Sequence, residues 1–291
     1  MKKTLVAVAA LAAVFGAQAQ ATISGLVEAG ILIPNSGTQS MASGGNGGSE
    51  ITFTAGEELG SGLKATGSVT IVNNPFALSD SGSPTATSPT TADNAIRTYN
   101  SFIGLSGDFG SLKLGSQFSP AFFAANVGDP FGQAAGTFNR AVQGGHRYNS
   151  VTYSSPSMSG VSLSYQVNPA NTESSYSVTY AAGAFTAAYA ADKTATTDTS
   201  GISANYDFGM AKVFFASKTT AGDTAANSLG VSAPVAGFVF VYSRSQQSGK
   251  TDNANIGLIY PMSKRTSLAW VNYDGGATAA QGNFVGVRHT F

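Results

Sequence analysis

Apolar side chains at every second position recur along this chain, from residue 22 to the final Phe291. In residues 22–33, Ile23, Val27, Ala29, Ile31 and Ile33 form one set, while Ser24 and Glu28 fall in the other. Residues 161–168 set Val161, Leu163, Tyr165 and Val167 against Ser162, Ser164, Gln166 and Asn168. The pattern returns in Tyr176, Val178 and Tyr180, in Phe185, Ala187 and Tyr189, and in Ile202, Ala204 and Tyr206. At the end of the chain, Val285, Val287, His289 and Phe291 share one parity and Phe284, Gly286, Arg288 and Thr290 the other. Successive strand residues point to opposite faces, so each segment is a ribbon with an apolar side and a small or polar side. One such segment alone reads as an ordinary half-buried strand. Their repetition is informative because the polar parity holds mostly Ser, Thr, Asn and Gly. A soluble sandwich of this size would turn many charges outward. The pattern instead predicts transmembrane strands, with one parity against lipid and the other against water.

Composition agrees. Only 10% of the 291 residues are charged, against roughly 25% in soluble domains. Mean hydropathy is nevertheless only +0.04. Outside the N-terminus no run of about 18 apolar residues exists, which excludes membrane-spanning helices. The N-terminus itself carries Lys2 and Lys3, an apolar run from Leu5 to Phe15, and the small-x-small triplet Ala17-Gln18-Ala19. These are the parts of an export signal. The run is too short for a helical anchor, so residues 1–19 are expected to be cleaved, leaving one domain over 20–291. Export together with charge-poor alternating strands points to an outer membrane. There are no cysteines, hence no disulfides, thiolate metal sites or cysteine nucleophile. The 15 basic and 15 acidic residues give no nucleic-acid footprint.

Connections between segments alternate in length. EELGSG, GDFGS, SPSMSG, AAGA, YDFGMAK, APVAGF and PMSKRT are short turns; residues 35–49, 74–94 and 193–200 are longer loops rich in Gly, Ser, Thr and Asn. Seven short turns between longer loops give sixteen strands, an even number suited to a closed antiparallel barrel. Backbone groups in hydrocarbon need partners, so the first strand must pair with the last. Barrels of about eight strands fill with side chains, whereas sixteen leave an aqueous channel. Tyr99, Phe102, Tyr153, Tyr165, Tyr189, Tyr206, Phe208, Tyr260, Trp270, Tyr273 and Phe291 lie near strand ends, where interfacial girdles form.

One long connection differs. Residues 118–149, FSPAFFAANVGDPFGQAAGTFNRAVQGGHRYN, are rich in Phe and Ala rather than Ser and Thr. Long loops in compact folds are usually functional or disordered, and the Phe content argues against disorder. This third loop is expected to fold into the barrel and narrow it. Asp129 would place negative charge on it. Arg97, Lys113, Arg140, His146 and Arg147 are candidates for the facing wall or the loop base, and Glu28, Glu50 and Arg288 for the lumen wall. Opposed charges across a constriction select ions. Solvated loop charges without such a role are the alternative.

A catalytic constellation is missing. There is no GxSxG and no paired histidine spacing for a metal. His289 falls on the lipid-facing parity and His146 has no accompanying nucleophile motif. No enzyme activity, cofactor or metal is expected.

The stretches ISGLVEAG, EELGSGLKA, FIGLSGDFGSLKLGSQFSP, DPFG, YNSVTYSSPSMSGVSLSYQ, YDFGMAKV, MSKRTSL and VGVRHTF occur in order over essentially all of residues 20–291. Each is weak alone; together they resemble the general porins of beta-proteobacteria. The resemblance implies a sixteen-stranded homotrimer in outer-membrane lipids, passed by ions and small hydrophilic solutes. It also implies an inward third loop and recognition of Phe291 by the barrel-assembly machinery. The sequence departs from the family on the basic wall. Glu50 and Thr54 stand where the family commonly has Arg or Lys. Tyr99 replaces a fourth-strand arginine, with Arg97 two residues earlier, and Ser116 replaces the arginine of LGRQ. His146 or Arg147 fills the position ahead of YNSV. The thinned cationic side implies a pore that is less anion-selective than the family, either weakly selective or cation-preferring.

Overall fold

The structure, a computed structural model, describes residues 20–43, 49–73, 96–132, 145–274 and 281–291. The side chains of residues 73, 96, 97, 99 and 146–148 lie outside that description. Arg97, His146 and Arg147 are therefore placed by their backbone only. Arg140 and the expected signal segment 1–19 fall outside it altogether.

The strands follow one another along the chain. They begin with β1 (Gln20–Pro34), β2 (Ser40–Ala42), β3 (Glu50–Gly60), β4 (Leu63–Asn73), β5 (Ile96–Gly107) and β6 (Gly110–Phe118). A short helix α1 (Pro120–Asn126) precedes β7 (His146–Ser154), β8 (Val161–Val167), β9 (Ser174–Ala182), β10 (Phe185–Lys193) and β11 (Asp198–Asp207). The series ends with β12 (Lys212–Thr220), β13 (Ala226–Val235), β14 (Phe238–Gln247), β15 (Asn253–Pro261), β16 (Thr266–Asp274) and β17 (Gln281–Thr290).

All pair antiparallel with their neighbours in one sheet. The sheet closes where β1 meets β17, from Leu26↔Thr290 to Pro34↔Gly282. Gly25 and Phe291 extend this seam by exchanging two backbone hydrogen bonds, each 3.0 Å. The other edge of β1 is shared. Leu32↔Ser40 to Gly30↔Ala42 belong to β2, and Leu26↔Glu50 to Gln20↔Gly56 to β3. Ser49 bridges the gap, accepting from the Glu28 N–H at 3.0 Å and donating to the Glu28 carbonyl at 3.2 Å. β2 and β3 thus act as one interrupted strand, and the barrel has sixteen staves. Closure gives the ladder no free edge through most of its height, which is what a bilayer demands of backbone polar groups.

The two parities separate as expected. Ile23, Val27, Ile31, Ile103, Leu114, Leu163, Tyr189, Ile202, Leu229, Leu258, Val285 and Val287 are exposed on the outer face. Ser68, Thr70, Ser150, Thr152, Ser177, Ser203, Asn205, Ser243 and Asn255 are buried on the inner one. Inner hydroxyls and amides pair across strands: Thr52 with Thr70 at 2.8 Å, Ser154 with Ser164 at 2.9 Å, and Asn255 with Ser243 at 3.0 Å. The outer face would be unstable in water and is matched to lipid.

Several local features differ from the sequence reading: both ends of the 118–149 loop are strand, Phe118 in β6 and residues 146–149 in β7, and Phe102 shares the inward parity of Lys113 rather than a girdle. Residues 193 and 198–200 belong to strands, because the Lys193↔Asp198 pair continues the ladder. Only 194–197 remain as a turn, closed by the Thr194 hydroxyl accepting from the Thr197 N–H at 2.9 Å. Tyr273 faces inward, not toward a girdle. It is buried with Leu32 and Phe284 against the closing seam.

Candidate functional site

The site is the lumen where the third loop crosses it. Ser119 organises the loop base. Its extended backbone and side chain cap α1, the hydroxyl accepting from the Phe122 N–H at 3.2 Å, and Pro120 takes the first helical turn. The same hydroxyl accepts from the Gly145 N–H at 3.1 Å, and the Ser119 N–H donates to the Gly145 carbonyl at 2.7 Å. The two ends of the loop are thereby clasped at one buried serine.

From this neck the chain runs along the inner wall. Ala121 and Ala124 of α1 pack on Ala188 and Ala190 of β10, where only small side chains permit such close approach. The wall then holds the loop backbone by name. Ser175 accepts from the Ala121 N–H at 3.1 Å, Ser203 donates to the Ala124 carbonyl, and Asn205 donates to the Val127 carbonyl at 2.7 Å. Further on, Gly128 lies against the Phe215 carbonyl of β12, and Pro130 lies over Gly230 of β13. A Cβ at Gly230 would stand 2.6 Å from the Pro130 ring. Phe131 covers Gly257 of β15 in the same way. The described part of the expected 118–149 loop is therefore inside the barrel. It follows the wall rather than spanning the opening.

The candidate residues are placed as follows. Asp129 is buried within the loop; its carboxylate accepts from the Phe131 N–H at 3.1 Å and its carbonyl from the Gly132 N–H at 3.2 Å. It shapes the turn that carries Pro130 and Phe131 to the wall. Lys113 occupies the inward parity of β6, between Gly104 and Thr152, with its ammonium 4.7 Å from the centroid of Phe102. Glu28 and Arg288 stand opposite each other in the seam register, and Glu28 is fully buried. Glu50 pairs with Val72, whose other neighbour is the backbone of Arg97. The backbones of His146 and Arg147 pair with Phe118 and Gln117 beside the loop neck. Phe291 sits in the seam beside Gly25. His289 lies on the outward parity and contacts the Thr266 hydroxyl at 2.9 Å. Glu58 and Lys64 form an exposed cross-strand pair at 3.3 Å, worth little in stability.

Ser119, Ser175, Ser203, Asn205 and Gln166 are the functional positions that sequence reasoning misses. Gln166 is buried and donates to Thr152 at 2.9 Å and to the Phe118 carbonyl at 3.3 Å, joining wall to loop. The polar parity of Gln166, Ser203 and Asn205 was visible in the sequence; their contact with the loop was not.

Two of the described connections are pinned to each other. Lys250 donates to Asp223 at 2.8 Å and Gln247 to the Thr224 carbonyl at 2.9 Å, tying residues 221–225 to 248–252. The Lys250 ammonium, with the Thr224 N–H, holds the Asp223 carboxyl below the usual carboxylate range. A carboxyl depressed in the folded state contributes above its unfolded value and ceases to as pH falls through the lowered one. Amide exchange in these two connections should therefore stay slow at neutral pH and accelerate only below the ordinary carboxylate range. Asp223→Asn should make it fast at neutral pH.

A closed sixteen-stave barrel with a hydroxyl-lined interior and an internal loop defines a transmembrane β-barrel protein. Residues 4–290 match the family model described as Gram-negative porin, and the chain belongs to that family. It is 32% identical over 197 residues to the major outer membrane protein P.IB of Neisseria gonorrhoeae, covering 63% of this chain and 53% of that protein. It is 34% identical over 137 residues to P.IA of Neisseria meningitidis serogroup C, covering 46% and 32% respectively. The chain thus spans about half the length of the P.IB protein it matches. The fold is similar to the anion-selective porin from Comamonas acidovorans, with a TM-score of 0.73 at 21% identity over 94% of this chain and all (100%) of that one. A mutant porin of Rh. blastica superposes with a TM-score of 0.71 at 12% identity, over 94% and 100%. The protein is a multi-pass protein of the outer membrane.

Proposed function

We propose that the protein is a passive channel, not an enzyme, through which ions and small hydrophilic solutes diffuse down their gradients. The observation that carries this reading is the closed, polar-lined sixteen-stave barrel, with the described third-loop residues, up to 132, lying along its inner wall. Reconstituted in planar bilayers, the protein should give discrete, ohmic conductance steps. A folded, heat-modifiable barrel that gave no steps would refute the reading.

Selectivity is the finer part of the proposal. Asp129 contributes a negative field from within the loop, and the opposing basic set is thinned to Lys113 with Arg97, Arg140, His146 and Arg147. Glu28, Glu50 and Arg288 add a nearly balanced wall. The pore is then weakly selective or cation-preferring. Reversal potentials across a KCl gradient should lie near zero or on the cation side, and Asp129→Asn should move them toward anions. A strongly anion-selective wild type would overturn this.

The functional unit is a homotrimer, as the trimer form of OmpT from Vibrio cholerae, a fold relative, suggests by analogy. It is surrounded by outer-membrane lipid, and Phe291 serves as the mark read by the barrel-assembly machinery. Residues 1–19 are removed on export, so N-terminal sequencing of the membrane form should begin at Gln20.

A further inference from the structure

Three phenylalanines meet at the base of the third loop, inside the lumen. Phe118 and Phe122 stack with centroids 4.0 Å apart and an interplanar angle of 12°. Phe123 stands edge-on to both, at 6.2 and 5.7 Å. Phe123 nevertheless remains 60% exposed. A large apolar ring left bare on a polar inner wall is costly to solvate and calls for an occupant. Beside it lies a recess of about 150 Å³, whose lining includes Phe102, Lys113, Phe118, Pro120, Phe123 and Thr152. A void of about 150 Å³ accepts a benzene ring.

Polar groups define the other side of the recess. The Lys113 ammonium is held over the Phe102 ring, and among the described residues no carboxylate pairs with it. Thr152 is fixed by Gln166, which also binds the Phe118 carbonyl, so wall and loop form one rigid frame. Preorganised sites lose less entropy on binding.

We propose that this recess is a binding subsite for small aromatic carboxylates. The ring lies against Phe123 and Pro120, and the carboxylate meets Lys113. The inference rests on the lumen being open to solutes, as argued above. It adds a station at which one class of solute pauses.

Benzoate is the probe. In planar bilayers in KCl, benzoate should cause flickering block at about tenfold lower concentration than acetate, because a ring contact worth about 1.4 kcal/mol is added to the charge. Phe123→Ala should raise the half-blocking concentration about three- to tenfold, as should Lys113→Gln. Phe123→Leu, which keeps the apolar volume, controls for folding and should block less well than wild type. Saturation-transfer NMR on the detergent-solubilised protein reads the same site without requiring conduction. Ring protons of benzoate should receive saturation, and Phe123→Ala should reduce it several-fold at the same benzoate concentration, whereas an unchanged signal would overturn the subsite. Conduction in KCl with benzoate no better than acetate, or cyclohexanecarboxylate equal to benzoate, would overturn the subsite while leaving the channel reading intact. Absence of KCl steps would instead refute the channel reading, and the NMR arm would still decide the subsite.

Discussion

Replacing Gly128 by valine should release the third loop from the wall while leaving the barrel folded. A Cβ at this position would collide with the Phe215 carbonyl and come within 2.8 Å of the Ala216 Cβ and 2.9 Å of the Ser203 Cβ. The first neighbour is backbone in the middle of a ladder and cannot move aside. Overpacking of this kind costs about 1–3 kcal/mol. Lifting the loop also surrenders the Ser203 and Asn205 hydrogen bonds to it, each worth about 1 kcal/mol. The overpacking cost is thus about as large as what these two bonds contribute to holding the segment down, so the loop should populate detached states. The wall ladder does not pass through Gly128, so heat modifiability should change little. Single-channel records should show lower and noisier current, and protease should cut the loop in the folded protein. A quiet channel of wild-type conductance would show that the loop is not anchored there.

The second large effect concerns the outer face. Leu114 is exposed on β6, one residue from the lumen-facing Lys113. Leu114→Arg should destabilise the barrel by about 2–4 kcal/mol if the position lies near the bilayer midplane. Lys113→Arg, the same side chain turned the other way, should cost less than about 1 kcal/mol, since surface-like charge exchanges in water are small. Urea unfolding in lipid vesicles measures both. Equal effects at the two positions would mean that parity does not separate lipid from water on this strand.

That contrast shows what the sequence carries and what it does not. Alternation at Val285 and Val287, or at Leu163 and Tyr165, is a local property of a strand. It reports which face meets lipid without any knowledge of neighbours. The inward course of the loop was legible for a related reason: Phe118, Phe122 and Phe123 are too apolar for a surface. The holding points were not legible. A serine at 203 or an asparagine at 205 looks the same whether it meets water or a carbonyl 79 or 78 positions away in the chain. The split of one stave into β2 and β3 was hidden too, because it depends on Ser49 reaching back to Glu28. The orientation of charges was least legible. Asp129 reads as a charge aimed at the lumen, yet its carboxylate also serves the backbone turn it sits in.

The seam between Gly25 and Phe291 has a consequence for biosynthesis. One rim of the first strand pairs with the neighbouring β2 and β3, but the other finds its partner only among the last residues made. No intermediate length of chain can satisfy both rims of its sheet, so progressive folding during synthesis has no stable resting point. Sealing of the barrel therefore waits on the final strand.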